Sequence, residues 1–439
     1  MIMPKYKKYK SSGNDSLGEI PEHWNILKLK YLLRSKAGYA FSSESYTDEG
    51  IPLVRISDVL QDGTVSLNNA PRLPKKYKIF LAEYSTKDGD ILMAMTGGTI
   101  GKVSTFSGSQ IALLNQRVCK FEPLDNFSKK LAWFWMNSAY WKQHIDLKSI
   151  GGAQPNISDN EIMQMYIAIP SSPTEQKAIA KFLDKKTTQI DEAIAIKKKQ
   201  IELLKERKQI IIQQAVTQGL NPAVPMKDSD VDWIGEIPEH WQVKRAKYLF
   251  NEIDERSENG DEELLSVSHL TGVTPRSEKS VTMIAEDYSG SKTCQKNDFV
   301  MNIMWAWMGA MGVSDRPGIV SSAYSIFRQT PLETFNPVYL EWLMKTVGYI
   351  EHYNKVSTGL HSSRLRFYSR MFFDMEIGYP SRNEQDEIVT HIEKQSFKID
   401  EAVELQKQQI EKLKEYKTTL INSAVTGKIK VPEVDSEIN

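Results

Sequence analysis

The residue strings that could do chemistry are few, and each fails on inspection. GGTIGKV at 97–103 comes close to a phosphate-binding loop, but it is one residue short of GxxxxGK, and Val103 stands where a Ser or Thr would hold magnesium. It is expected to be a strand-to-strand turn. No HExxH occurs, and the seven histidines are scattered without metal-ligand spacing. Methyl transfer would need a glycine-rich cofactor loop and an Asn- or Asp-Pro-Pro-aromatic motif; the nearest string, NPAV at 221–224, fails at its third position. The two cysteines, Cys119 and Cys294, are too far apart for a metal knuckle and too few for a disulfide framework, which suits a reducing cytoplasm. No catalytic residue, metal site or cofactor is assigned to this chain.

What remains is a set of side chains suited to recognition. Arg55, Ser57 and Asp58 cluster in the first half, followed by Asn115, Gln116 and Arg117, then Gln154 and Asn156. The second half offers His269, Thr271 and Arg276, then His361, Ser363, Arg364 and Arg366 within HSSRLRFYSR. Arginine pairs with guanine and Asn or Gln with adenine through two hydrogen bonds each, so these types suit direct readout of double-stranded DNA. Taken singly, each suits a solvated surface equally well. The 56 basic and 56 acidic residues cancel, and a tight complex with DNA would need a partner that supplies phosphate contacts.

The elements that must position these residues are announced by a repeat. GEIPEHW stands at 18–24 and again, unchanged, at 235–241. His23 and His240 fall inside it, where packing at a module entrance explains them better than catalysis. A second pair starts at Glu175-Gln176 and Glu384-Gln385, passes through IDEA at 190–193 and 399–402, and ends in AVT at 215–217 and 424–426. From 175 to 217 there is no Gly or Pro, and apolar residues recur by heptad. Ile194, Ile201 and Ala215 form one line, with Leu183, Ile190, Leu204 and Ile211 on the other; Val403, Ile410 and Ala424 with Ile392, Ile399, Leu413 and Leu420 repeat it. This predicts a coiled-coil seam. Lys208 and Lys417 interrupt it at one matching position, either as stems reaching solvent or as polar groups that fix register. A helix of 43 residues would be about 64 Å long at about 1.5 Å per residue.

Between these landmarks lie strand-like segments. They are 51–59, 88–95 and 112–121 in the first half, and 264–270, 297–304 and 319–327 in the second. Each half then carries an apparent aromatic helix, 131–145 and 339–353, with Trp133 and Trp342 in matching places and expected in the core. The expected fold class is α+β: two pseudo-repeated globular α/β modules, each followed by a long helix, the helices pairing as an antiparallel coiled coil. The expected boundaries are a basic arm at 1–17, modules at 18–170 and 235–380, helices at 171–219 and 381–427, a linker at 220–234 and a tail at 428–439. No stretch approaches the roughly 20 apolar residues of a membrane span, so no membrane partner is expected.

Together the motifs resemble the specificity subunits of type I restriction-modification systems. The resemblance rests on both GEIPEHW starts, GIPLVRISD at 50–58, GDILMAMTGGTIGKV at 89–103, NQRV at 115–118 and QPNIS at 154–158. In the second half it rests on GVSDRPGIVSSAY at 312–324 and SRLRFY at 363–368, and it covers nearly the whole chain. It implies a non-catalytic subunit with two target-recognition domains, each reading one half of an asymmetric bipartite DNA site, with helices that set the spacer. It further implies two methyltransferase subunits docked on the helices and restriction/translocase subunits beyond them. S-adenosylmethionine, ATP and magnesium would belong to those partners. Two other readings stay open: the recognition component of a type II fused nuclease-methyltransferase system, and a coiled-coil scaffold that binds no DNA.

Overall fold

A computed structural model describes residues 3–60, 62–149, 155–276, 287–359 and 365–432. The chain divides into two compact units, residues 1–197 with 407–439, and residues 198–406.

Two four-stranded sheets form the centre of the first unit. One runs Leu33–Ala37, Val118–Pro123, Ile91–Ala94, Val103–Thr105, antiparallel throughout. The other runs Arg72–Leu73, Ile51–Val54, Ala112–Leu114, Ser85–Thr86, with Ile51–Val54 and Ala112–Leu114 parallel. Ile91–Ala94 and Ile51–Val54 are buried at every position, which explains their continuous apolar runs. The second unit repeats the antiparallel sheet as Phe250–Ile253, Tyr324–Gln329, Phe299–Asn302, Met311–Val313. Its counterpart of the parallel pair is reduced to a single parallel bridge, Leu264 with Ile319. A hairpin, Leu265–Ser268 with Gly272–Pro275, and a pair, Lys292–Cys294 with Gly318–Val320, are present there.

Two of the sequence expectations are corrected. The segments 112–121 and 319–327 are not single strands: the first breaks at Asn115–Arg117 and the second at Ser321–Ala323, so that Ala112–Leu114 and Val118–Pro123, and likewise Gly318–Val320 and Tyr324–Gln329, join different sheets. Each aromatic helix is two helices, Lys129–Met136 then Ala139–Lys148, and Pro337–Met344 then Val347–Val356. In the first, the Ser138 hydroxyl accepts from the Trp141 N–H and restarts the helix after Asn137, a competition that short polar side chains win over helix continuation. Trp133 is half-buried and packs on the first core, and Trp342 does the same on the second. GGTIGKV is indeed a turn, joining Ile91–Ala94 to Val103–Thr105 through Gly97–Thr99.

The long helices run from Pro173 to Gln218 and from Arg382 to Val425. Every apolar seam residue named above is buried or half-buried. In the first unit Leu183 and Ile190 share a core with Leu420, Ile421, Ala424 and Val425. In the second, Ala215 and Val216 share one with Ile388, Val389 and Ile392. The interrupting lysines do not simply reach solvent: Lys417 pairs with Asp191 at 2.6 Å, and Lys208 with Asp400 at 2.7 Å. Both aspartates belong to the repeated IDEA. No described helix is long and apolar enough to cross a membrane.

Candidate nucleic-acid interface

The two GEIPEHW copies make the same junction. Trp24 is fully buried and donates its indole N–H to Glu175 Oε1 at 3.1 Å, while His23 Nε2 lies 2.9 Å from Glu175 Oε2. Trp241 and His240 hold Glu384 at 3.1 and 2.8 Å. The next residue faces inward. Gln176 donates to the carbonyls of Pro170 and Asn126 and accepts from the Ser128 N–H; Gln385 donates to Pro380 and Thr334 and accepts from Asn336. Burying an amide this deeply is tolerated because its donors and acceptor are matched. The C-terminal glycine of each long helix completes the junction: a Cβ on Gly427 would strike Pro21 and Trp24, and one on Gly219 would touch Trp241 and Pro238. The repeat persists because one tryptophan must fit a helix start on one side and a helix end on the other.

In each unit the central strands end in a rim. In the first unit, Val54 O accepts from Asn115 N at 3.0 Å, Arg117 O from Met95 N at 2.9 Å, and Met95 O from Ile157 N at 3.1 Å. Thr96 bridges Asn156, and Gly97 N donates to Pro155 O at 2.9 Å. This ladder lines up Arg55–Asp58, Asn115–Arg117 and Asn156 side by side. Their roles divide. Asp58, only 5% exposed, accepts from the Arg55 and Ser57 side chains and the Arg55 N–H, and Arg55 also reaches Asn69 O at 2.9 Å. That trio holds a turn. Asn115 accepts from the Arg117 N–H, whereas Gln116, Arg117 and Asn156 present exposed side chains. Gln154 lies outside the described residues.

The second unit places its candidates in separate groups. His269 and Thr271 flank Leu270, 81% exposed, at a hairpin tip closed by the Thr271 N–H donating to Ser268 Oγ. Arg276 lies at the other end of Gly272–Pro275, a strand of four residues or roughly 13 Å, with its N–H on Leu264 O. Burial pushes the Tyr324 hydroxyl above its ordinary pKa, and the charge of Arg276 opposes that shift. Arg366 bridges Thr358, beside Phe367, whose N–H donates to Ile303 O at 3.1 Å. Met95 and Ile303 thus occupy equivalent places, and so do Asn156 and Arg366. His361, Ser363 and Arg364 lie outside the described residues. The sequence reading passed over the turn at 305–308, WAWM; its signal was a spacing to Gly309 that matches the spacing of GGTI to Gly101.

Neither thiol is poised as a nucleophile. Cys119 and Cys294 are buried, and burial pushes the Cys119 thiol well up and the Cys294 thiol to about 11. Among the described residues no group of three His, Cys, Asp or Glu could hold a metal ion.

Comparison with known proteins agrees with this frame. A model of the type I restriction modification DNA specificity domain matches residues 21–206. The Escherichia coli EcoBI specificity subunit is 25% identical over 428 residues, 89% of this chain and 83% of that protein. The Methanocaldococcus jannaschii MjaVIII specificity subunit is 28% identical over 214 residues, 48% of this chain. That match, and one to the putative MjaX specificity subunit, span about half of those relatives' length, 49% and 56%. A chain from a solved type I R-M system shares the fold at TM-score 0.63 and 13% identity, covering 92% of this chain and 98% of that one. The HsdS subunit from Thermoanaerobacter tengcongensis shares it at 0.53 and 14%, covering 93% and 98%. The fold is the one that these two solved chains share. Residues 21–206 thus carry the match to the type I restriction modification DNA specificity domain, and the chain is similar to type I restriction enzyme specificity subunits.

Proposed function

We propose that this chain is the non-catalytic DNA-recognition subunit of a type I restriction-modification complex. Each module, at about 18–170 and 235–380, reads one half of an asymmetric bipartite site in double-stranded DNA. Gln116, Arg117 and Asn156 make base contacts in the first module, on a turn braced by Arg55, Ser57 and Asp58. His269, Thr271, Arg276 and Arg366 do so in the second, with Gln154, His361, Ser363 and Arg364 as further candidates.

The observation that carries this reading is one junction built twice in two modules whose rims are unlike. A protein that bound the same partner twice would keep its rims as constant as its junctions. An antiparallel coiled coil of the long helices sets the spacer. Its support is that within the first unit partners descend the second helix as they climb the first, Asp191 with Lys417 and Lys197 with Gln409. Leu203 and Ile210 recur at heptad spacing with 51 and 48% exposure, apolar surface that suits a docked methyltransferase subunit. S-adenosylmethionine belongs to those subunits, and ATP and magnesium to the restriction/translocase subunits.

Methylome sequencing of cells carrying this chain with its methyltransferase tests the proposal. Two unlike half-sites around an unspecified spacer are expected, and one continuous or palindromic motif refutes it. Matched insertions in both helices should widen the spacer and leave the half-sites alone.

A further inference from the structure

One connection is built to the same length in both modules but filled with opposite chemistry. Ala94 donates to Lys102 O at 3.0 Å across it, and Asn302 donates to Ala310 O at 3.0 Å. A glycine of positive φ closes each turn, Gly101 at 77° and Gly309 at 82°. Each lies where a Cβ would press on an isoleucine of a following helix, Ile145 at 3.0 Å and Ile350 at 3.1 Å. On this common frame the first module carries Gly97-Gly98-Thr99-Ile100, and the second carries Trp305-Ala306-Trp307-Met308.

The glycine positions point outward, since a Cβ on Gly97 or Gly98 would meet nothing within 4 Å. Trp305, at the place of Gly97, is 45% exposed. It stacks on Trp307, with ring centroids 6.1 Å apart and planes at 28°, and Trp307 is fixed by its indole N–H on Met304 O at 3.1 Å. The outer ring is thus backed by an anchored one. The turn also belongs to the rim: Ile303 accepts from Phe367 N beside Arg366, and the adjoining segment 365–370 carries two arginines and no acid. An exposed indole on the rim to which Arg366 also belongs suits a polyanion with flat aromatic faces.

We propose that Trp305, backed by Trp307, is a base-step wedge that inserts at the half-site read by the second module. The first module, with glycines there, approaches its half-site without one. This rests on the DNA-recognition reading and adds a specificity-determining residue to it. Wedging favours steps that unstack easily, so the second half-site is selected partly by deformability at a pyrimidine–purine step.

The test uses the full chain reconstituted with its methyltransferase and a duplex bearing the methylome-defined site. 2-Aminopurine replaces adenines one at a time in both half-sites, the methylated base excepted, because the methyltransferase extrudes that base itself. Binding of the wild type should raise fluorescence at a step in one half-site and at none in the other. Trp305→Gly should abolish that rise and weaken binding roughly 10- to 100-fold, while Trp305→Phe keeps the rise. Thermal unfolding should not change, because the ring is exposed. No rise at any position in the wild type overturns the wedge whatever the variants do. Unchanged DNA binding by W305G with weakened methyltransferase binding also overturns it and makes the indole pair a protein contact. A wild-type complex that binds the site no better than unrelated DNA overturns the recognition reading itself, and the wedge with it.

Discussion

The junctions and the rims of this molecule stand under different constraints. At the junctions the two copies agree to about 0.1 Å in the bonds from tryptophan and histidine to glutamate. At the rims, on other segments, Arg366 stands where the first module has Asn156, and Trp305 where it has Gly97. A buried tryptophan between two helix ends tolerates almost no substitution, because both its shape and its N–H are used. A rim residue answers only to what it touches outside the chain. The molecule therefore separates the part that must stay constant from the part that is free to change.

The sharpest way to break this comparison is to cut into both junctions. Trp24→Ala and Trp241→Ala are each expected to destabilise by about 3–5 kcal/mol, from lost burial and the cavity left behind. Denaturant titration should show two similar losses; a loss in one copy only would mean that the junctions are not equivalent. Gln176→Leu and Gln385→Leu should each cost about 2–3 kcal/mol by stranding buried backbone groups, measured in the same way.

The rims should respond in specificity rather than stability. Gln116→Ala or Arg117→Ala should relax discrimination at one base of one half-site by about 1–3 kcal/mol, read from methylation of site variants. Melting should stay within about 0.5 kcal/mol of the wild type. Smallest are the seam pairs: Lys417→Met and Lys208→Met should each change stability by about 0.2–1 kcal/mol, since both aspartates are more than half exposed. Equal effects would sharpen the picture of one seam used twice.

Much of the frame was legible in the sequence because it is written twice. The repeat gave the two modules, the heptads gave the long helices, and unbroken apolar runs such as ILMA at 91–94 gave the central strands. Helix breaks inside the aromatic segments were not legible, because Asn137-Ser138 and Lys345-Thr346 interrupt no apolar period. Glu175 and Gln176 marked only a helix start; their grip on Trp24 and on the Asn126–Ser128 loop depends on contacts across some 50 to 150 residues. Arg55 and Asn115 had the same standing as base-reading types, and only the fold separates a side chain that holds its own turn from its exposed neighbours Gln116 and Arg117.

The second compact unit is one uninterrupted run, 198–406, whereas the first draws on both extremes of the chain. During translation the second unit can therefore close before the first. The first module waits, with Leu183 and Ile190 lacking the apolar wall of Leu420, Ile421, Ala424 and Val425, until those residues too leave the ribosome. The half that is begun first is finished last, and a chain stopped at Gln406 would leave the older half open.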